Sequence, residues 1–275
     1  MSDPRLTPFS GRVAHEGLRG LIDAPRFTEG EPARIIAPLV DLLRRPTGPR
    51  DRQLLRGARA RVIDREGTTC FVQAEADGYC GWLRSEALGP DRPVTHRVQA
   101  RATHLYAAPD IKSPETGALS LNARLEITES QGSFLHTGCG HWVPRTHLSP
   151  CDRPAEDPVA VAETLLGAPY LWGGNSQNGL DCSGLVQLAL DACGLPCPGD
   201  SDLQEAALGP KLPLGTALMR GDLLFWRGHV AWVFDPETIL HANAHSMSVT
   251  LEPAQQAIAR IACEGPLTSH VRLSL

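Results

Sequence analysis

The segment Asp181-Cys182-Ser183-Gly184 sets a thiol directly behind a carboxylate of the type that caps helices. Leu185, Val186, Leu188, Ala189, Ala192 and Cys193 then recur at three and four, which predicts a helix over 181–193, with Gly194 placed to end it. Cys182 falls in the first turn. There the unpaired N–H groups and the helix dipole favour an anion, so the thiol pKa is expected to fall and the sulfur to become a nucleophile. The upstream pair Gly173-Gly174 is expected to leave room for a substrate backbone. Two histidines supply the proton chemistry. Gly228-His229-Val230 opens one apolar strand, Ile239-Leu240-His241-Ala242-Asn243 forms the next, and Asp235–Thr238 turns the chain between them. A hairpin centred near Asp235 sets His241 across from His229; a later centre shifts that by a few residues. One imidazole could take the thiol proton while the other holds the first in one tautomer. Asn243 and His245 share the strand parity of His241 and compete for that third place.

These residues need a scaffold, and the composition supplies one. The chain has 275 residues with 42% hydrophobic content, which suits about two domains with real cores and excludes a disordered chain. A net charge of −5 gives no general attraction to nucleic acid or anionic lipid. No apolar run approaches the roughly 18 residues of a membrane span. The first residues, MSDPRLTPFSGRVAHEGLRGL, lack the pattern of a secretory signal, so a cytoplasmic location is expected. In that setting the eight cysteines read as small buried hydrophobes plus one reactive thiol. Cys193 and Cys197 have no second pair at ligand spacing, and His96, His104, His136, His141 and His147 follow no metal pattern. Neither a metal nor a cofactor is expected.

Along the chain, residues 1–33 read as an arm packed on the rest. Residues 34–92 hold short apolar runs broken by turns, the pattern of a small β-barrel. Residues 93–150 repeat it: Asp77-Gly78-Tyr79-Cys80-Gly81-Trp82-Leu83 is echoed by Thr137-Gly138-Cys139-Gly140-His141-Trp142-Val143. Trp82 and Trp142 are each expected to pack their own barrel. The arginines 44, 45, 50, 52 and 56 are expected to form a solvated basic face. A Pro-rich linker covers 151–158, and residues 159–275 form a different domain. In it, a helix over 159–166 and the helix bearing Cys182 precede strands 222–226, 229–234, 238–242 and 247–251.

Tyr170-x-Trp172-Gly173-Gly174, Asp181-Cys182-Ser183-Gly184-Leu185-Val186, Gly228-His229-Val230 and His241, in that order, resemble the NlpC-type cysteine peptidases, papain-like enzymes that cut bacterial cell-wall peptides. The resemblance covers 159–275. It implies an α+β fold, a papain-like catalytic domain preceded by two small SH3-type β-barrels. It makes Cys182 the nucleophile, His229 the base and His241 the orienting third residue. It places Tyr170 beside the nucleophile as an oxyanion donor, and Asp181, Ser183 and Trp172 against substrate. A finer resemblance is to the subgroup that carries SH3-type domains in front and releases dipeptides from free murein peptides. Its substrate would be a murein tripeptide or tetrapeptide with a free N-terminal L-Ala, cut between γ-D-Glu and the diamino acid, as in cell-wall recycling. Pro198-Gly199-Asp200-Ser201 matches the segment that holds the free amine, with Gly199 where that subgroup has Arg. Asp200 and Ser201 also fit a helix N-cap. Tyr79 or Asp51 of the first barrel would wall off the amine end. Two other readings compete: a thiol amidase or acyltransferase on the same fold, and a non-catalytic protein that binds wall fragments.

Overall fold

The computed structural model describes residues 3–273, which divide between Arg153 and Pro154 into two compact units. The first unit is built twice from one strand order. In the first copy seven strands run Arg50–Leu55, Leu39–Leu43, Cys80–Arg84, Thr69–Ala74, Arg59–Glu66, Glu31–Ile35, Leu88–Pro90 across the sheet. The second copy runs Glu115–Ser120, Ala102–Tyr106, Trp142–Pro144, Phe134–Thr137, Ile127–Gln131, and a separate sheet of Arg124–Leu125, His96–Val98 and Leu148–Pro150 completes it. The long strand Arg59–Glu66 thus has two short counterparts. The repeated Gly-x-Trp segments hold the same station: Trp82 pairs with Leu43 and Trp142 with Tyr106, each the last residue of the corresponding strand. Each copy closes on its own apolar cluster.

The arm is ordered by the first copy. Val13 packs with Ile63, Phe71 and Trp82, while Ser10 and Arg12 bind the buried carboxylate of Asp64. The basic residues are not one solvated face. Arg44 pairs with Asp51 and Arg50 with Asp41. Arg52 is buried, bonded to Asp77 at 2.5 Å, because its guanidinium lies over the Tyr79 ring.

In the second unit, Asp157 caps α1 (Pro158–Glu163) by accepting from the N–H groups of Val159 and Ala160. This helix ends three residues before the expected 166. Helix α2 (Cys182–Ala192) is the central one and is buried along nearly its whole length. Helix α3 (Ser201–Ala207) follows. Six antiparallel strands then form one sheet: β1 (Lys211–Leu212), β2 (Asp222–Trp226), β3 (His229–Asp235), β4 (Thr238–Asn243), β5 (Ser248–Pro253) and β6 (Leu267–Arg272). Their order is β1-β6-β2-β3-β4-β5. The meander of β2 to β5 matches the sequence pattern; β6 returns past helix α4 (Ala254–Ile261) to pair with β2. Ala254, Ala257 and Ile261 of α4 cover Leu224, Val233 and Ile239 of the sheet. Among the described residues no helix is long and apolar enough to cross a membrane.

Candidate active site

Asp181 organises the start of α2. Its Oδ1 accepts from the Gly184 N–H at 2.7 Å and the Ser183 hydroxyl at 3.0 Å, and its Oδ2 accepts from the Gly173 N–H at 2.9 Å. One carboxylate thereby ties the glycine loop to the helix that carries the thiol. The loop glycines serve backbone packing rather than open space. A Cβ on Gly184 would lie 2.5 Å from the Gly174 carbonyl oxygen, and one on Gly174 would lie 2.5 Å from that of Gly179. The expected room for substrate at Gly174 is therefore occupied by the chain itself.

The Cys182 thiol is buried and lies 4.0 Å from the Gly228 carbonyl oxygen, at the start of β3. Burial, with a smaller push from Asp181, drives its pKa up to about 12. The N–H groups of Val230, Ser183 and Cys182 pull the other way, as the helix-terminus argument requires, but burial outweighs them. Against the expected fall, burial favours the protonated thiol.

His229 and His241 are joined. Nε2 of His229 lies 2.9 Å from Nδ1 of His241. Their strands pair with Trp232 opposite Leu240, two positions beyond a register centred on Asp235, so His241 stands diagonal to His229. A shift of two preserves side-chain parity, which is why both rings still share a face. Burial lowers the pKa of His229 to about 3 and that of His241 to about 4, and neither ring is charged near neutrality. Asn243 instead accepts from the backbone and hydroxyl of Ser246, and His245 is exposed on the β4–β5 turn, so neither competes with His241.

Two further residues lie behind His241. Glu252 Oε2 is 3.1 Å from His241 Nε2, and Arg260 donates to both Glu252 oxygens at 3.0 and 2.6 Å. Sequence reasoning missed both. Their signal lay in the hairpin: His241 pairs with Thr250 and Ile239 with Glu252, so His241 and Glu252 share one face of adjacent strands. The strand expected over 247–251 runs to Pro253, which brings Glu252 into the ladder.

Tyr170 is held by its N–H on the Met247 carbonyl at 2.8 Å. Burial, with the neighbouring Cys182 and Asp181, pushes its phenol up to about 12, which keeps it a hydrogen-bond donor. Tyr170 and His229 line one cleft of about 510 Å³, together with Trp226, Arg227, His245 and Arg260. Trp172 is exposed on the loop before Gly173. Asp200 holds the N-cap position of α3 without a side-chain capping bond, and Ser201 is its first residue. Buried Gln204 of α3 donates to the carbonyls of Ser183 and Pro198, which fixes the 198–201 turn relative to the residue after the thiol. Tyr79 and Asp51 belong to the N-terminal unit, Tyr79 buried in the core of its first copy and Asp51 held by Arg44.

A neutral thiol, a neutral imidazole, a second imidazole fixing the first, and nearby N–H and O–H donors constitute the parts for acyl transfer by a thiol. Known proteins share this fold. Residues 167–262 match the NlpC/P60 family, and residues 42–88 match the bacterial dipeptidyl-peptidase SH3 domain. A gamma-D-glutamyl-L-lysine dipeptidyl-peptidase of Bacillus cereus is 27% identical over 73% of this chain and 69% of its own length. The Bacillus subtilis protein of that name is 31% identical over 54% of this chain and 52% of its own. The crystal structure of an NlpC/P60 family protein from Bacillus cereus superposes with a TM-score of 0.75 at 21% identity, over 88% of this chain and 99% of that one. The chain thus carries an NlpC/P60 domain of the cysteine peptidase type over residues 167–262, papain-like in fold, preceded in sequence by a bacterial dipeptidyl-peptidase SH3 domain over residues 42–88.

Proposed function

We propose that this peptidase hydrolyses the bond between γ-D-Glu and the diamino acid of murein tripeptides or tetrapeptides with a free N-terminal L-Ala. It would release L-Ala-γ-D-Glu and serve cell-wall peptide recycling in the cytoplasm. The linked imidazoles of His229 and His241, with a thiol at the start of α2 that lies 4.0 Å from the carbonyl of Gly228, the residue before His229, carry this reading. The names of the two Bacillus relatives support the bond type.

In this mechanism Cys182 Sγ attacks the γ-carbonyl of D-Glu as His229 removes the thiol proton. With sulfur and imidazole both uncharged at rest, proton transfer accompanies attack instead of preceding it. The oxyanion is met by backbone N–H groups at the start of α2 and the Tyr170 hydroxyl. His229 then protonates the departing amine, leaving a thioester on Cys182. Water, deprotonated by His229, attacks the thioester and frees the dipeptide and the thiol. His241 holds the His229 ring. Asp200 and Ser201 receive the substrate's ammonium end, where the Asp200 carboxylate matches its charge, and Asp181 and Ser183 lie against the substrate. Trp172, exposed on the loop before Gly173, completes the substrate contacts.

The test is digestion of L-Ala-γ-D-Glu-diamino acid peptides, free or N-acetylated, read by mass spectrometry. Release of L-Ala-γ-D-Glu from the free-amine peptide alone is expected. Equal cleavage of the acetylated peptide would remove the ammonium requirement. Cys182→Ala should lower turnover by roughly 10⁴-fold or more while the protein stays folded. Near-normal turnover by that variant would dismiss the nucleophile.

A further inference from the structure

We infer that Glu252 is a positioning residue that fixes, through His241, which nitrogen of His229 bears the proton. The inference rests on the reading of His229 as the base, and follows from donor and acceptor counting along one chain of contacts. Arg260 has only donors, and it occupies Glu252 through both carboxylate oxygens. That pairing keeps Glu252 ionised: the hydrogen bond from Arg260 holds its pKa below the usual range against the opposing effect of burial. An ionised carboxylate only accepts, so His241 Nε2, 3.1 Å away, must be the N–H donor. His241 is neutral, so its Nδ1 is then bare. A bare Nδ1 at 2.9 Å from His229 Nε2 requires that nitrogen to be the donor. His229, neutral as well, is left with its lone pair on Nδ1, the nitrogen not engaged with His241. A base for the thiol needs that lone pair. Two hydrogen bonds thus carry a choice made at Glu252 to the reacting imidazole.

The carboxylate does this without adding much net charge, because Arg260 neutralises it. The role is therefore orientation of protons more than stabilisation of an imidazolium. Substitution by leucine isolates that role. A glutamine would not, because its oxygen in the place of Oε2 could accept from Arg260 and His241 together. Leucine leaves no acceptor opposite His241 Nε2, so nothing selects the tautomer of His241 or, through it, that of His229. The lone pair on His229 Nδ1 is then no longer fixed.

Nitrogen-15 NMR of the imidazoles reads this directly. In the wild-type protein His229 and His241 should both be protonated at Nε2 and bare at Nδ1, with assignments from the signals lost in His229→Gln and His241→Gln. In Glu252→Leu both rings should show a mixture of Nε2–H and Nδ1–H forms. Arg260→Met leaves Glu252 an acceptor and should leave both rings protonated at Nε2. Alongside the mixing, kcat of Glu252→Leu should fall on the order of 10- to 100-fold, as removal of outer partners of a functional imidazole does, with KM little changed. A wild-type His229 protonated at Nδ1, or a Glu252→Leu protein that keeps Nε2–H alone on both rings, overturns the inference whatever the activity. The wild-type spectrum alone suffices should the leucine variant not fold. Mixed tautomers with unchanged kcat would leave the proton relay standing and remove His229 as the base, so the two readings fail separately.

Discussion

The catalytic unit contains two trios of the same composition with different surroundings. At one, His241 meets Glu252, which Arg260 clamps. At the other, His270 of β6 lies 2.7 Å from Asp222 of β2, which Arg272 clamps through both oxygens. Both bury a histidine against a carboxylate held by an arginine. They differ in where the second ring nitrogen leads. His241 passes its contact to His229, which lines a cleft; Asp222 and His270 are sealed between neighbouring strands, at 0% and 1% exposure. A His–carboxylate–Arg cluster is therefore no marker of chemistry by itself. The outlet to a reacting group makes the first one a candidate for catalysis, and the lack of any such contact makes the second a clasp between β2 and β6.

Removing the two histidines breaks this contrast or sharpens it. His241→Ala should cut kcat by roughly 10²- to 10⁴-fold, whereas His270→Gln should leave kcat within about twofold; equal losses in the two variants would erase the distinction. Stability should respond in the opposite sense. Asp222→Asn breaks a fully buried pair and should lower unfolding free energy by roughly 3 kcal/mol, measured by urea denaturation, with kcat of the folded fraction retained. A selective loss of kcat in that variant would assign Asp222 to the machinery.

Acidification separates the trios more gently. His229 and His241 have folded pKa values lowered to about 3 and about 4, so the unfolded chain binds protons first. Their contribution to stability is full above the ordinary value of about 6.5 and fades as pH falls toward 4. Burial raises the Asp222 pKa, but Arg272, His270 and the Met219 N–H outweigh it and hold the carboxylate below its usual 3.8. Its contribution is lost only at still lower pH. The midpoint of thermal unfolding should therefore fall between pH 6.5 and 4 in wild type and in Asp222→Asn alike, and fall less in His241→Gln. The acid limb of kcat/KM should likewise lie well below pH 6.5, because His229 must be unprotonated to act. A limb at or above 6.5 would show that burial does not hold the His229 pKa down in the working enzyme; a preformed thiolate–imidazolium pair would show instead as an alkaline limb, where the imidazolium loses its proton.

The elements that position the thiol and the two rings were legible because their signals are local. Asp181 caps, the apolar stripe from Leu185 propagates, and the turn at Asp235–Thr238 makes a hairpin. What escaped depends on contacts distant in sequence. Glu252 and Arg260 sit on a strand and a following helix, and that they meet behind His241 follows from how β5 and α4 pack rather than from any local pattern. The thiol pKa was misjudged for a similar reason: dipole and N–H groups follow from helix position, but the degree of burial follows from how β3 lies across the helix start. The two-residue hairpin shift did no harm to the site, since parity survived it. The repeat of the N-terminal unit was legible in the Gly-x-Trp segments, and the strand order bears the same duplication.

Gly174 and Gly184 each press against a main-chain carbonyl and Gly179 against the Leu171 side chain, with no volume for even a methyl group at any of the three. A laboratory library randomised around the nucleophile would therefore return the parental residue at these three places whatever substrate was selected for. Engineering a new specificity has to begin on the flanking segments, because the seat of the sulfur has no adjustable parts.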